Sequence, residues 1–124
     1  MNQEKRTVVF VDDSASMREA VGCILQQNGY TVLKAGDGQD SLKYFEGTPV
    51  DLLITDLHMP RMNGIELIQT LRNRSRYRYL PILVLTTEAQ VAQKMEAKRA
   101  GATGWLVKPF TPENLMAVIR RVIH

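Results

Sequence analysis

Residues 50–64, VDLLITDLHMPRMNG, decide the fold of this chain. The apolar-rich run at residues 51–55 predicts a β-strand that is buried on both faces, as strands of parallel sheets are. Asp56 follows directly at the carboxyl end of that strand, and a loop then leads to Asn63-Gly64. Ligands of open α/β sheets bind outside the carboxyl ends of the strands. A carboxylate at this position must therefore be hydrated, paired or placed for chemistry.

The rest of the chain alternates strand-like and helix-like patterns around this stretch. Apolar or β-branched runs occur at residues 7–11, 31–35, 81–86 and 104–107, and a helical pattern follows each strand. Five alternations predict a doubly wound α/β fold, with a parallel sheet, right-handed crossovers and helices on both faces. Strands one, three and four are the most apolar and should be central, whereas strands two and five carry a lysine, which suits edges. The strand order 2-1-3-4-5 satisfies both conditions.

This strand order brings carboxylates together. Strand one ends at Asp12-Asp13 and strand three ends at Asp56, and the switch point of the sheet lies between these two strands. Two such charges ~4 Å apart repel each other by about 4 kcal/mol at the effective dielectric of a protein surface. A protein retains this cluster if one acid is protonated or if a hard divalent cation binds. Mg²⁺ prefers oxygen ligands and keeps several waters, so it suits two or three carboxylates with a backbone carbonyl.

Two more strands end in polar groups at the same edge. Strand four ends in Thr86-Thr87-Glu88, and strand five ends in Lys108-Pro109. A hydroxyl and an ammonium beside a metal-bound aspartate form a site for a transferred phosphoryl group, because they offset its charge and hydrogen-bond its oxygens. The pattern therefore indicates that one oxygen of Asp56 acts as a nucleophile.

Composition limits the alternatives. With 124 residues, 44% hydrophobic and 23% charged, the chain is expected to form one domain over residues 1–124. No apolar run approaches the ~20 residues of a membrane span, and the start has no apolar signal region. The single cysteine, Cys23, rules out an internal disulfide and is predicted to be a small buried hydrophobe. We therefore expect a cytoplasmic monomer without membrane partners.

Four features together resemble the receiver domain of bacterial two-component response regulators. They are Asp12-Asp13, the TDLHMPRMNG segment with Asp56, Thr86, and the run Lys108-Pro109-Phe110. The resemblance covers essentially the whole chain. It implies a flavodoxin-like (βα)5 fold, and the architecture is most similar to the CheY-type chemotaxis regulators that act on a flagellar motor.

The resemblance also implies roles for the residues at the sheet edge. Asp56 is expected to be the phosphoacceptor. Asp13, Asp56 and the backbone carbonyl of His58 are expected to bind Mg²⁺ directly, and Asp12 through a water. Lys108 would contact the phosphoryl group, and the Lys108–Pro109 bond is expected to be cis.

Three further positions concern the switch and the lifetime of the phosphoryl group. Thr86 is expected to be the switch residue, whose hydroxyl moves toward the phosphoryl group in receiver domains. Trp105 occupies the position of the switch aromatic of the family, but an aromatic packed at the surface of an edge strand is an equally good interpretation. His58 and Glu88 lie where such proteins tune the lifetime of the phosphoryl group.

These expectations describe a signalling protein rather than an enzyme with a turnover substrate. A histidine kinase donates the phosphoryl group, and the chain catalyses only this transfer and the later hydrolysis. Without an output domain in the sequence, the signal is expected to pass by docking of helix four, strand five and helix five onto a target protein, in chemotaxis the flagellar motor switch. A phosphorelay intermediate and a phosphate sink remain open. A Mg²⁺-dependent aspartyl phosphatase of the haloacid dehalogenase type is a distant alternative, because His58 stands where its second acid would be.

A basic segment lies outside this scheme. Arginines alternate with tyrosines at Arg72, Arg74, Arg76, Tyr77, Arg78 and Tyr79, and they supply part of the net charge of +3. Such mixtures can bind nucleic acid. A solvated loop between helix three and strand four is the favoured interpretation, so we expect no nucleic-acid partner.

Overall fold

Five short runs of apolar and β-branched residues form one parallel sheet in the computed structural model, which describes residues 5–123. The strands are β1 (Thr7–Val11), β2 (Thr31–Ala35), β3 (Leu52–Thr55), β4 (Ile82–Thr86) and β5 (Gly104–Val107). They lie in the order β2-β1-β3-β4-β5, and every neighbouring pair is parallel. The predicted fold class and strand order are confirmed. β3 and β4 each begin one residue later than predicted, a difference within the ordinary variation of element ends.

All the helices except the fourth begin where the sequence supplies a capping side chain. The five are α1 (Ala15–Gln27), α2 (Gly38–Ser41), α3 (Gly64–Arg72), α4 (Val91–Ala100) and α5 (Pro112–Val122), and 3₁₀ turns follow α2 at Leu42–Phe45 and α3 at Ser75–Tyr77. The side chains of Ser14 and Thr111 accept backbone N–H groups of the first turns of α1 and α5, and Asn63 forms a capping box with Glu66. These bonds satisfy N–H groups that a helix start leaves without partners.

The sheet separates two hydrophobic clusters, because successive side chains of a strand point to opposite faces. Val9, Leu53 and Val84 pack on one face with residues of α3 and α4. Phe10, Ile54 and Leu85 pack on the other face with residues of α1 and α5. All six are fully buried. Because burying one such side chain contributes about 1.5–3 kcal/mol, the three central strands fix the positions of the residues that follow them.

The prediction that Cys23 is buried is wrong. α1 buries Val21, Gly22 and Leu25, whereas Cys23 is exposed. Two residues along an α-helix rotate a side chain by roughly 200°. Cys23 therefore faces away from the side that Val21 and Leu25 bury.

The segment between α3 and β4 is only in part the solvated loop that we expected. Tyr77 is 4% exposed, and Arg72 is half-buried, so both belong to the packed structure. Arg76 and Arg78 are exposed, as predicted.

α4 has a weaker apolar face than the other long helices. Ala97 is its only buried residue, and Val91 and Met95 are 74% and 46% exposed. Across residues 5–123, no helix has the length and apolar character that crossing a bilayer requires.

Candidate functional site

Three aspartates lie together at the carboxyl edge of the sheet. The backbone N–H of Asp56 donates to the Val11 carbonyl at 3.0 Å, and that of Asp12 donates to the Ala35 carbonyl at 3.1 Å. These bonds continue the strand ladders, so the two side chains emerge from neighbouring strands. One carboxylate oxygen from each of Asp12, Asp13 and Asp56 lies within 4.8 Å of the others. The predicted convergence of the three acids is confirmed.

Lys108 bridges two of these aspartates. Its Nζ donates to Asp12 Oδ2 at 2.6 Å and to Asp56 Oδ2 at 3.3 Å. The other oxygens are also engaged, since Ser14 N–H donates to Asp12 Oδ1 at 2.9 Å and Leu57 N–H donates to Asp56 Oδ1 at 2.7 Å. Both carboxylates are therefore held in fixed orientations within a buried environment.

The acids change the ionisation of the lysine. Burial alone would lower the pKa of Lys108, but the hydrogen bond that Lys108 donates to Asp12 and the attraction of the Asp56 and Asp12 charges outweigh burial. The net pKa of Lys108 lies above its ordinary value. Lys108 is therefore a permanent cation at neutral pH. The bond to Pro109 that follows it is cis, as predicted.

Asp13 differs from the other two acids. It is exposed, and within residues 5–123 its carboxylate takes part in no hydrogen bond or ion pair. Its oxygens are therefore available to a ligand from solvent. The cluster offers only carboxylate oxygens, the donors that Mg²⁺ prefers, and its open side leaves room for the waters that Mg²⁺ keeps. The residues present fit the predicted ion.

The loop that follows Asp56 is fixed by two glycines. A Cβ on Gly64 would collide with the Asp56 carbonyl oxygen, and Gly64 N–H donates to the Leu57 carbonyl at 2.9 Å. A Cβ on Gly38 would lie 2.8 Å from the Met62 carbonyl oxygen, to which Gly38 N–H donates at 3.1 Å. The start of α3 and the turn after β2 can therefore approach this loop only because both residues lack side chains.

An ion pair holds the same loop from outside. Nε and Nη2 of Arg61 donate to Asp37 Oδ2 at 2.9 and 2.7 Å. Asp37 Oδ1 accepts the Asp40 N–H at 2.8 Å, so Asp37 also caps α2. Sequence reasoning missed both this pair and Gly64. The fixed distance from Asp56 to Asn63-Gly64 was a signal for the glycine, whereas nothing local marks a contact between residues 37 and 61.

Thr86 and Glu88 end the next strand. Thr86 is fully buried, and its hydroxyl accepts the Glu88 N–H at 3.2 Å. The Glu88 carboxylate lies 3.6 Å from His58 Nε2. The two positions predicted to tune phosphoryl lifetime therefore face each other, one from the loop after β3 and one from the loop after β4.

Trp105 lies next to β4 on the edge strand. It pairs with Val84 in the register of β5 on β4, and it is half-buried against the cluster that contains Val84. A cavity of about 170 Å³ separates it from Lys94 and Lys98 of α4. The indole therefore lies between the core and the face of α4, with free space on one side.

The sheet order, the acidic cluster at the switch point and the bridging lysine define a flavodoxin-like α/β protein with a candidate cation site at the carboxyl edge of its sheet. Residues 8–120 match the response regulator receiver domain family. The chain therefore belongs to the response regulator receiver domain family, whose members are signalling proteins.

Proteins of similar sequence and structure include chemotaxis regulators and a probable transcriptional regulator. Chemotaxis protein CheY of Pseudomonas aeruginosa is 37% identical over 118 residues, which cover 94% of this chain and 95% of that protein. The solved structure of chemotaxis response regulator CheY4 of Vibrio cholerae is 44% identical, with a TM-score of 0.92, and covers 97% of this chain and 100% of that one. The probable transcriptional regulator ycf27 of Porphyridium aerugineum is 35% identical over 98% of this chain, but only over 49% of its own length.

Proposed function

We propose that this chain is a phosphorylation-dependent switch of a two-component system and that Asp56 is its phosphoacceptor. The observation that carries the proposal is the cluster of Asp12, Asp13 and Asp56 with Lys108 bonded to two of the acids. The acids can hold a divalent cation beside Asp56, and Lys108 adds a fixed positive charge, so both would offset the charge of an incoming anionic phosphoryl group.

The transfer moves one phosphoryl group between two residues. A carboxylate oxygen of Asp56 attacks the phosphorus of a phosphohistidine on the kinase, a P–O bond forms, and the P–N bond breaks. Lys108 Nζ, 3.3 Å from Asp56 Oδ2, stabilises the added negative charge. Water later hydrolyses the acyl phosphate and restores the carboxylate.

Asp13, Asp56 and the backbone carbonyl of His58 would hold Mg²⁺ directly, and Asp12 would hold it through a water. When bound, the ion would neutralise negative charge on the phosphoryl oxygens during the transfer. Asp13 is suited to this role because it is exposed and its carboxylate has no bond within the described residues. Glu88 and His58 stand across the mouth of the site, where they control the approach of water and so the lifetime of the phosphoryl group.

The signal passes to the surface through Thr86 and Trp105. Thr86 ends β4, the neighbour of β3, and Trp105 lies on β5 next to β4, with free space toward α4. The face of α4, β5 and α5 is the output surface, and the exposed Val91 and Met95 offer apolar contacts there. The target is a protein, and the similarity to chemotaxis regulators favours the flagellar motor switch. The cytoplasm is the compartment in which this partner is accessible.

Intact-mass measurement after incubation with acetyl phosphate and Mg²⁺ tests the phosphoacceptor. We expect the mass of one phosphoryl group on the wild-type chain and none on Asp56→Asn. Equal modification of Asp56→Asn would overturn the assignment of the acceptor, whereas modification of the wild-type chain that is unaffected by EDTA would overturn the role of Mg²⁺.

Titration of a flagellar motor switch protein with the phosphorylated and the unphosphorylated chain tests the output. We expect tighter binding after phosphorylation. A phosphorelay intermediate would instead pass its phosphoryl group to a histidine phosphotransfer protein, and a phosphate sink would bind neither partner. Either result would replace the motor as the target while leaving Asp56 as the acceptor.

A further inference from the structure

The loop between α3 and β4 contains a basic and aromatic segment that the proposed function does not use. Residues 72–79 read RNRSRYRY. Arg72 holds this segment from inside the fold, since its guanidinium donates to the carbonyls of Gly101 at 2.7 Å, Tyr77 at 2.8 Å and Arg78 at 3.1 Å. The loop is therefore bonded both to itself and to the end of α4.

Tyr77 is a second residue that anchors this segment to the fold. Its ring packs edge-to-face against Phe45 at 5.2 Å between centroids, and its hydroxyl donates to the Phe45 carbonyl at 2.9 Å. These two internal anchors bond the backbone of the loop to the packed part of the fold. A partner would therefore lose little affinity to ordering of the loop.

The side chains between and after these anchors point outward. Arg76 and Arg78 are exposed, and Tyr79 is 88% exposed. Within residues 5–123, neither these two arginines nor Arg74 pairs with an acidic side chain, although the Arg76 guanidinium lies over the Tyr77 ring. Three cations in five residues without an ion-pair partner are complementary to an acidic surface.

A cleft lies beside these cations. It has a volume of about 410 Å³, and its lining includes Val50, Leu80 and Pro81 together with Arg76 and Tyr79. The cleft is large enough for one apolar side chain, and Arg76 is the arginine that lines it. Tyrosine and arginine are the side chains most often responsible for binding energy at protein interfaces, where they surround or fill such clefts.

We infer that this surface, formed by Arg74, Arg76, Arg78, Tyr79 and the cleft, binds an acidic protein segment that carries an apolar side chain. The cleft is lined by Val50, Leu80 and Pro81, which suit an apolar side chain but offer no partner to the phosphates of a nucleic acid. Tyr79 is moreover the only largely exposed aromatic ring within residues 5–123, whereas nucleic-acid strands are held by successive stacking rings. A protein segment fits both facts.

This surface lies at the edge of the sheet opposite the aspartates. Val50 and Leu80 precede β3 and β4, whereas Asp56 and Thr86 stand at their ends. Strands of this length separate the two edges by roughly 15 Å. The acidic segment therefore binds whether or not Asp56 is phosphorylated. It attaches the chain to a partner protein through a surface that is separate from the output surface on α4.

The probe is a short synthetic peptide of glutamates around one central leucine, and its binding is measured by titration at low and high salt. We expect binding that weakens with salt and amide chemical-shift changes confined to residues 49–51 and 74–81. The double variant Arg76→Gln, Arg78→Gln and the single variant Tyr79→Ala should each bind about tenfold more weakly. Both change exposed side chains, so circular dichroism should remain that of the wild type.

The matched control removes the same charge elsewhere. Lys94→Gln with Lys98→Gln neutralises two exposed cations of α4 and should leave the affinity unchanged, as should Asp56→Asn. The inference is overturned if the α4 variant loses as much affinity as the loop variant, or if a glutamine version of the peptide binds equally well. Tighter binding of single-stranded oligothymidylate than of the peptide would also overturn it, in favour of nucleic acid.

Discussion

We expect Lys108 and a divalent cation to compete for the carboxylates of Asp12 and Asp56. Replacing Lys108 with Met keeps most of the apolar stem but removes the charge that lies between Asp12 and Asp56. Without Mg²⁺ we expect the free energy of unfolding to fall by about 3 kcal/mol, because two buried acids lose their counter-charge. Mg²⁺ affinity should rise several-fold, since the competitor is gone. Urea denaturation tests the change in stability and Mg²⁺ titration tests the change in affinity, with Lys94→Met as the control. Weaker Mg²⁺ binding by Lys108→Met than by the wild type would contradict the competition.

The raised pKa of Lys108 gives this ion pair a defined pH dependence. A lysine whose folded-state pKa lies above the ~10.4 of the unfolded chain stabilises the fold fully below that pH, and the stabilisation disappears as the pH rises through the folded-state value. The difference in unfolding free energy between wild type and Lys108→Met should therefore be flat from neutral to mildly alkaline pH and shrink only above about 10.4. Urea denaturation across this range measures it. A difference that declines near neutral pH would mean that the lysine titrates early.

Gly64 permits the closest backbone approach in the site. An alanine there would collide with the Asp56 carbonyl oxygen, which cannot move without moving the acid itself. We expect Gly64→Ala to lower the free energy of unfolding by about 1–3 kcal/mol and to reduce phosphorylation by acetyl phosphate. Gly22→Ala is the matched control, because its Cβ would meet only the flexible end of Lys34 at 3.3 Å. Equal stability of the two variants would show that the loop after β3 adapts easily.

Among the elements, α3 and α4 are joined at their carboxyl ends by one side chain. Arg72 leaves the last turn of α3 and donates to the carbonyl of Gly101, the residue that ends α4 in the left-handed conformation. Burial lowers the pKa of Arg72, but a guanidinium stays charged at any accessible pH. The bonds that it makes with three carbonyls need its planar fork, which a lysine lacks.

We therefore expect Arg72→Lys to destabilise the fold by about 2 kcal/mol, since carbonyls that accept from a charged donor lose their bonds. Arg78→Lys is the control, because Arg78 is exposed and should tolerate the change. Thermal and urea denaturation measure both variants, and hydrogen exchange should increase at the end of α4 in Arg72→Lys only. If Arg72→Lys and Arg78→Lys are equally stable, the guanidinium does not join these helices.

At the scale of the whole molecule, sequence periodicity predicted most of what holds the sheet together. The strand order followed from the apolar runs and the positions of Lys34 and Lys108, and the meeting of Asp12, Asp13 and Asp56 followed from that order. The roles assigned to these residues came from resemblance and remain proposals.

What the sequence did not predict depends on contacts between distant segments. The Arg61–Asp37 pair and the bonds from Arg72 to Gly101 join residues 24 and 29 positions apart. Long polar side chains can reach many partners, and no local pattern selects one of them. Cys23 was assigned to the core by its residue type, whereas its position on the helix turned it outward.

The Asp13 carboxylate makes no bond of its own among the residues that the structure describes, so a change at Asp13 should alter the free energy of unfolding only through the metal that it binds. Asp13 is exposed and has no bond within residues 5–123, so Asp13→Asn should leave the free energy of unfolding unchanged when EDTA is present. A ligand that binds only the folded chain adds stability in proportion to the logarithm of its concentration, about 2.7 kcal/mol at ~100 times its Kd. Wild-type protein should gain this amount from Mg²⁺, and Asp13→Asn should gain far less at the same concentration. Asp51→Asn removes an exposed acid from the opposite edge and should respond to Mg²⁺ as wild type does. If Asp13→Asn responds to Mg²⁺ as strongly as wild type, the ion is bound elsewhere, because every proposed coordination of the cluster includes this carboxylate.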